Sequence, residues 1–279
     1  MQKKLTSIIL GIFVFLGLSI RLYSQLNPTV EAIFKPPVSQ TRNQPANQTR
    51  SFFSPHYEER SEPIRHLVIH SFALPVSEMV KRLNDLGAST HYLIDTKGNV
   101  FKMIPENKVA FHAGPSFWRG KNSLNQSAIG IELQNQTLGQ TPFSKKQINA
   151  FILLAKDIIY RHHIDAKNIV AHSDIAPTRK VDVGKSFPWQ DMAKHGIGLY
   201  PAAKDTQTTE TNIKALLETI GYDTTDTDKA LLAFERRFMP ELVKIDNNIN
   251  RLEENLKSKE PIINDAVIKR LNEVADSYK

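Results

Sequence analysis

The stretch IVAHSDIAPTRKVDVGKSFPW, residues 169–189, constrains the fold of this chain more than any other feature. It opens with a short apolar run, and Asp182 then follows His172 by ten residues, with Lys180 two residues before the aspartate. A buried strand has no use for such a polar cluster, whereas imidazole and carboxylate groups are common ligands of Zn²⁺. We therefore expect a buried strand that leads into a metal site.

The ligands of such a site are limited by composition, because the 279 residues include nine histidines and no cysteine. Disulfide bonds, thiol nucleophiles and Cys-ligated zinc are thereby excluded. His70, at the end of the apolar run HLVIHS (66–71), is a second candidate imidazole, although a single histidine there could simply be hydrogen-bonded or exposed. Two imidazoles and the carboxylate of Asp182 would leave a fourth position open, as in catalytic zinc sites.

The N-terminus has the pattern typical of an export signal. The basic MQKK precedes an uncharged apolar stretch of 14 residues (7–20), which is shorter than the roughly 20 residues of a spanning helix and typical of a signal peptide. Its cleavage site is poor, so we interpret residues 1–24 as a signal peptide or an uncut membrane anchor. We expect an exported protein that is periplasmic or anchored facing the periplasm. Residues 25–53, rich in Pro, Gln and Asn, predict a flexible linker.

The remaining chain changes character once. Residues 54–203 mix β-rich runs with helical patterns, which predicts an α/β domain with a central mixed β-sheet flanked by helices. Residues 204–279 contain helical patterns only and predict a small all-α C-terminal domain. The expected strands and hairpin cover 66–71, 91–104, 128–135 and 169–174, and the expected helices cover 77–87 and 144–164, the latter opened by a capping box of Ser144 and Gln147.

The charge is distributed unevenly along the chain. Residues 1–203 carry 24 Lys and Arg against 14 Asp and Glu, a net +10, while residues 204–279 carry 12 against 15, a net −3. A basic first part could attract an acidic polymer, either nucleic acid or a cell-wall peptide that bears carboxylates. No basic run with interleaved aromatic residues is present, so we expect no nucleic-acid partner.

Two further polar residues stand close to these motifs. Glu132 lies inside the apolar run AIGIELQN, where a carboxylate is costly unless it is paired, so it is either an active-site residue or salt-bridged. Lys180 and Asp182 on one extended strand would point to the same side, because side chains alternate with period two. The alternative for Lys180 is a solvated side chain in a loop. We interpret its neighbour Arg179 in that way.

Four motifs occur in one order and together resemble a known family, the zinc-dependent N-acetylmuramoyl-L-alanine amidases of the amidase-2 type, which are related to peptidoglycan recognition proteins. The similarity covers about residues 51–200 and is closest to exported enzymes with a C-terminal wall-binding domain, although the absence of cysteine departs from the lipoproteins among them. The motifs are HLVIHS, STHYLIDTKGNVFKMIPENKVAFHAG, FWRGKNSLNQSAIGIELQN and AHSDIAPTRKVDVGKSFPW.

The resemblance assigns roles to individual residues. His70, His172 and Asp182 match the zinc ligands of the family, so the implied cofactor is Zn²⁺. Glu132 matches the carboxylate that acts as general base or orients water, and Lys180 matches the group that stabilises the developing oxyanion.

Contacts with the substrate are implied at five further positions. His91, Tyr92 and His112 correspond to residues around the cleft. Trp118 and Arg119 suggest a substrate-facing loop, since an aromatic ring with an arginine suits sugar stacking and carboxylate binding. Ordinary loop packing is the alternative for this pair.

The predicted C-terminal domain resembles the first helices of a three-helix peptidoglycan-binding domain, with an insertion before the third helix. Its alternative is a helical cap that packs on the catalytic domain. The resemblance implies an enzyme that cleaves the amide between N-acetylmuramic acid and L-alanine in peptidoglycan or muropeptides. We separately expect a monomer. A recognition protein that binds peptidoglycan without cleaving it, and a cytosolic recycling amidase, remain as alternatives.

Overall fold

The computed structural model describes residues 50–203, 210–244 and 259–279. The predicted signal peptide or anchor (1–24) and most of the predicted linker (25–53) lie outside these residues. The last residues of the predicted linker belong to the folded body, because Arg50–Ser51 forms a short strand. In the ranges given above, no helix has the length and apolar character needed to cross a membrane.

The strands of the described residues are β1 Arg50–Ser51, β2 Tyr57–Glu59, β3 His66–Phe72, β4 Tyr92–Ile94, β5 Val100–Lys102, β6 Lys108–Ala110, β7 Phe117–Trp118, β8 Lys121–Asn122, β9 Ala128–Gln134 and β10 Ile169–Ala171. Six of them form a mixed central sheet in the order β1-β5-β4-β9-β3-β10. Strands β4, β9, β3 and β10 run parallel, and β5 runs antiparallel to β4. This architecture confirms the predicted mixed sheet flanked by helices.

The α-helices of the described residues lie on both faces of this sheet and at the C-terminus. They are α1 Val76–Asp85, α2 Lys145–His162, α3 His172–Ile175, α4 Trp189–Lys194, α5 Ile213–Ile220, α6 Thr227–Phe238 and α7 Asp265–Tyr278. The predicted helices 77–87 and 144–164 correspond to α1 and α2. The predicted strand 169–174 is shorter than expected, because the chain turns into α3 at His172.

The start of α2 confirms one half of the predicted capping box. The Ser144 hydroxyl accepts a hydrogen bond from the Gln147 backbone N–H, as an N-cap should. The Gln147 side chain does not return to Ser144; it donates to the carbonyl oxygens of Ile94 and Gln134, each at 2.9 Å. Gln147 therefore ties α2 to the ends of two strands.

The two faces of the sheet are covered differently. Alternation along β3 places Leu67 and Ile69 on the face that packs against α2 and α4. On the opposite face, Val68 packs with the C-terminal helices, whereas Phe72 packs with α1. His70 lies between Val68 and Phe72 on that face, so the polar residues occupy the gap between two hydrophobic clusters.

The C-terminal helices share a hydrophobic cluster with the sheet. Trp118 is fully buried in this cluster, with its ring centroid 5.1 Å from that of Tyr222 and 6.2 Å from that of Tyr278, both edge-on. Its indole N–H donates to the Lys167 carbonyl oxygen at 2.9 Å. Helices α5 to α7 therefore pack directly on the α/β part, as the cap interpretation expects, whereas the division into domains stays a prediction.

Replacement of Trp118 by alanine should lower the free energy of unfolding by about 3–5 kcal/mol, because a large buried side chain is lost and a cavity remains. Trp118→Phe should cost less, since the ring between Tyr222 and Tyr278 is partly kept. Urea denaturation of both variants measures the difference. Equal and small losses would show that the cluster does not hold the C-terminal helices to the sheet.

Candidate metal centre

Register between the parallel strands brings the predicted ligands together. His70 on β3 is paired with Glu132 on β9, and Ile69 is paired with Ala171, so that His172 follows β10 beside His70. Paired residues of parallel strands point to the same face. His172, His70 and Glu132 therefore form one row across three strands, on the face that the two hydrophobic clusters leave open.

The ligand atoms of three side chains converge at one end of this row. Nδ1 of His70 lies 2.9 Å from Nδ1 of His172, and Oδ2 of Asp182 lies 3.3 Å from His172 Nδ1 and 3.6 Å from His70 Nδ1. All three residues are buried. Tetrahedral zinc with bonds of roughly 2.0–2.1 Å separates its ligand atoms by about 3.3 Å. The donor set and its spacing therefore fit a metal ion, and the sequence prediction of this cluster agrees with the geometry.

The other nitrogen of each imidazole has a partner that fixes the ring. Nε2 of His172 donates to the Ala113 carbonyl oxygen at 3.1 Å, and Nε2 of His70 lies 3.0 Å from Nδ1 of His112. This leaves both Nδ1 atoms free to bind a metal. Histidine ligands usually have a hydrogen-bond partner on their other ring nitrogen in this way. Gly130 allows the His112 ring to approach β9, because a Cβ there would lie 2.6 Å from the ring.

The protonation states also suit a metal site. Burial lowers the pKa of His70 to about 4, and the adjacent His172 adds to this effect. Burial alone would raise the pKa of Asp182, but the charge and hydrogen bonds of His172 and His70 outweigh burial and hold this pKa well below its usual range. A neutral imidazole and an ionised carboxylate are the forms that bind metals.

Glu132 lies in the same row with its carboxyl group buried. Burial raises the pKa of Glu132 to about 8; the negative charge of Asp182 adds to this effect and the positive charge of Lys180 opposes it. Among the described residues, Glu132 forms no salt bridge within 4.0 Å, and the ion pairs of the cluster join His70 and His172 to Asp182 only. The salt-bridged alternative for Glu132 therefore has no support, and the carboxyl remains available for proton transfer.

Lys180 reaches the site from an irregular segment, so the prediction of an extended strand through Lys180 and Asp182 is wrong. The side chain is half-buried, and its positive charge acts on His70 and Glu132. The interpretation of Arg179 as solvated is also wrong. Its guanidinium donates to the carbonyl oxygens of Ala113 and Pro115, at 3.0 and 2.6 Å, and holds the loop that accepts the His172 hydrogen bond.

Two of the residues predicted around the cleft have structural partners instead. His91 is fully buried, where Nδ1 accepts from the Gly130 backbone N–H at 3.0 Å and Nε2 donates to the Lys108 carbonyl oxygen at 3.2 Å. Tyr92 is paired with Ile131 and therefore lies on the opposite face from Glu132. Its hydroxyl donates to Glu106. Of the predicted cleft residues, only His112 is placed beside the ligand cluster.

Trp118 and Arg119 face the C-terminal helices rather than the ligand cluster. The Arg119 backbone N–H donates to the Gly221 carbonyl oxygen at 2.9 Å, and its guanidinium lies 5.7 Å from the ring centroid of Tyr278. Together with the burial of Trp118, these contacts favour the packing alternative over substrate contact. The sequence alone could not distinguish them, because the packing partners lie about 100 residues or more further along the chain.

His112→Ala should weaken metal binding by about 10–100-fold, because the partner that orients His70 is lost. Nε2 of His112 has no hydrogen-bond partner among the described residues, so the variant breaks only the contact with His70 on that ring. Chelator competition measures the affinity. His112→Gln replaces the acceptor nitrogen by an acceptor oxygen and should recover part of the loss. Wild-type affinity in His112→Ala would show that His70 needs no such partner.

Two imidazoles and a carboxylate that converge beside a mixed β-sheet, with a buried glutamate on the neighbouring strand, have the arrangement of a catalytic metal site. The model of the amidase-2 family, described as N-acetylmuramoyl-L-alanine amidase, matches residues 60–185. The N-acetylmuramoyl-L-alanine amidase AmiD of Escherichia coli (strain K12) is 38% identical over 210 residues, which cover 64% of this chain and 76% of that protein. The chain therefore belongs to the amidase-2 family of N-acetylmuramoyl-L-alanine amidases and is an enzyme.

Solved structures show the same similarity. The complex of AmiD from E. coli with anhydro-N-acetylmuramic acid-L-Ala-D-γ-Glu-L-Lys is 33% identical with a TM-score of 0.62, and covers 79% of this chain and 93% of that chain. AmpDh3 from Pseudomonas aeruginosa in complex with anhydromuramic pentapeptide is 28% identical with a TM-score of 0.62, and covers 85% and 99%. The similarity thus extends beyond the matched domain into the C-terminal helices.

Proposed function

We propose that this enzyme uses Zn²⁺ to hydrolyse the amide bond between the lactyl group of N-acetylmuramic acid and L-alanine, in muropeptides or in peptidoglycan. The observation that carries this proposal is the convergence of His70 Nδ1, His172 Nδ1 and Asp182 Oδ2 in the same row as the buried Glu132. Similar structures contain anhydromuramic peptides with this type of amide.

His70, His172 and Asp182 would hold the metal, with His112 and the Ala113 carbonyl oxygen fixing the two rings. When bound, Zn²⁺ lowers the pKa of a coordinated water to roughly 7 and polarises a carbonyl group. The negative charge of Asp182 and the two neutral imidazoles leave the ion a net positive charge, which favours both effects.

Glu132 accepts a proton from the attacking water and passes it to the leaving amine. Burial raises the pKa of its carboxyl to about 8, and the positive charge of a bound metal ion would lower this pKa again, into the range where the group can take up and release a proton in one cycle. Lys180 supplies a positive charge beside the carbonyl oxygen as that oxygen becomes negative. The water oxygen forms a bond to the carbonyl carbon and the C–N bond then breaks, which leaves muramic acid with a free carboxyl group and the stem peptide with a free amine.

The location of the enzyme is part of the proposal. The apolar stretch 7–20 and the tether-like composition of residues 25–53 support export to the periplasm, with the N-terminal segment either cleaved or kept as an anchor. We propose a monomer whose substrate contacts include His112, while Trp118, Arg119, His91 and Tyr92 support the fold. Peptidoglycan binding by residues 204–279 remains a proposal of the same kind.

The first test uses one preparation that lacks residues 1–25. Bound zinc is counted, and muropeptides with ordinary and 1,6-anhydro sugars are incubated with the protein while mass spectrometry detects free stem peptide. One zinc per chain together with peptide release supports the proposal. Zinc without release from either substrate would indicate a recognition protein, and a chain without zinc would overturn the ligand assignment.

A further inference from the structure

A buried carboxylate lies two residues after His172. Asp174 is fully buried in α3, and its Oδ2 accepts a hydrogen bond from the Ala171 backbone N–H at 2.8 Å, which closes the turn that carries His172. The Ser173 backbone N–H of the same turn donates to the Asp182 carbonyl oxygen at 2.6 Å. The turn around Asp174 therefore joins two of the three segments that bring ligand atoms together.

The partners of Asp174 come from the C-terminal helices. Nη1 of Arg237, on α6, donates to Asp174 Oδ2 at 2.6 Å, and the hydroxyl of Tyr222, just after α5, donates to Oδ1 at 2.9 Å. Both side chains are almost fully buried. A buried carboxylate without partners is strongly unfavourable, whereas this one accepts three hydrogen bonds, one of them from a guanidinium.

Arg237 is itself held in place on several sides. Its Nη2 donates to the Ile169 carbonyl oxygen at 3.2 Å, at the first residue of β10, and its guanidinium lies 3.9 Å from the ring centroid of Trp189. One side chain thus contacts the start of the strand, the turn after the strand and α4. A methionine of similar length would keep the packing but lose every polar contact.

The C-terminal part also contacts the segment that carries Asp182. Val181 packs against Val243, and the Lys185 ammonium donates to the Val243 carbonyl oxygen. The segments on both sides of the ligand cluster therefore rest on residues that lie beyond the amidase-2 match, which ends at residue 185.

We propose that Asp174 is a positioning residue for the metal centre and that Arg237 and Tyr222 hold it, so that the C-terminal helices complete the metal site. The inference depends on the proposed function, because it takes His172 and Asp182 as ligands. It gives helix α6 and Tyr222, just after α5, a role in metal binding in addition to any role in wall binding. Disturbing the three hydrogen bonds of Asp174 should let the His172 turn and the attached Asp182 segment move apart.

The test compares variants of the whole chain that break these contacts with one that does not. Arg237→Met and Asp174→Asn remove the ion pair, and Tyr222→Phe removes one hydroxyl from an intact core. Both partners of the ion pair are substituted because Arg236 is buried beside Arg237 and interacts electrostatically with Asp174. Arg236 could take the place of Arg237 in Arg237→Met, but nothing replaces the charge that is lost in Asp174→Asn. The matched control is Arg270→Met, since Arg270 is a buried arginine of α7 that donates to Glu273 and the Pro201 carbonyl oxygen.

Metal affinity is measured by chelator competition, the ligand geometry by the visible spectrum of the Co²⁺-substituted protein, and general stability by the Tm of the metal-free protein. We expect Arg237→Met and Asp174→Asn to bind Zn²⁺ about 10-fold more weakly and to alter the Co²⁺ spectrum. Arg270→Met should lower the Tm with no change of affinity or spectrum. Tyr222→Phe, which should fold in any case, is expected to show a smaller loss of about threefold.

The outcomes separate the two proposals. A wild-type chain that binds no zinc overturns the proposed function and this inference with it. A wild-type chain that binds zinc while Arg237→Met, Asp174→Asn and Tyr222→Phe bind it as tightly as Arg270→Met overturns the inference alone. If Arg237→Met and Asp174→Asn do not fold, wild-type affinity in Tyr222→Phe is sufficient to overturn it.

Discussion

Replacement of Glu132 by glutamine should leave the metal bound and lower kcat/KM by about 10²–10⁴-fold, the range typical of a lost general base. Glutamine has nearly the shape of glutamate, so the packing of β9 against β3 should be unchanged. It cannot take up a proton, so under the proposed function proton exchange is what the variant loses. Zinc content and the rate of stem-peptide release, measured on the same sample, separate the two effects.

Glu235→Gln is the matched control for this prediction. Burial raises the pKa of Glu235 to about 7, opposed by its hydrogen bond from the Ile262 backbone N–H and by the charge of Arg236. Glu235 lies on α6, and glutamine would still accept the Ile262 hydrogen bond. This variant should therefore keep the wild-type rate. A Glu132→Gln enzyme with undiminished kcat/KM, or an equal loss in both variants, would show that the carboxyl of Glu132 does not transfer the proton.

The row of polar residues could be predicted because buried parallel strands are apolar throughout. Against such a background, His70 and Glu132 are conspicuous in HLVIHSF and AIGIELQ. Their proximity was expected from the family resemblance, since register between two strands is not encoded in either strand alone. The same limitation explains why Tyr92, which precedes the partner of Glu132 by one residue, was expected at the cleft although it lies on the face opposite to Glu132.

Residues that act through the C-terminal helices could not be predicted from the sequence. Asp174 stands in AHSD as an unremarkable neighbour of His172, and its partners Tyr222 and Arg237 follow 48 and 63 residues later. Trp118 and Arg119 have the composition of a sugar-binding loop. They do not form one because the C-terminal helices pack upon them. Local patterns describe a surface correctly only when no distant element packs upon it.

His172→Ala should abolish stoichiometric zinc binding and reduce kcat/KM by at least about 10³-fold. Removal of the ion withdraws roughly 4 kcal/mol or more of transition-state stabilisation, and each 1.36 kcal/mol is about tenfold in rate. A second consequence is independent of activity. Zinc that binds only the folded chain raises its Tm, so the Tm of the wild-type protein should rise when Zn²⁺ is added and that of His172→Ala should not.

His66→Ala distinguishes loss of a ligand from loss of a buried imidazole. His66 is buried on the same strand as His70, and its Nδ1 lies 3.0 Å from the Ser127 hydroxyl, away from the ligand cluster. Its removal should lower the Tm of the metal-free protein yet preserve both zinc content and the Tm response to Zn²⁺. If His172→Ala kept one zinc per chain at wild-type affinity, the ion would have to be held by other residues. The roles proposed for Glu132 and Lys180 beside the ion would then be wrong.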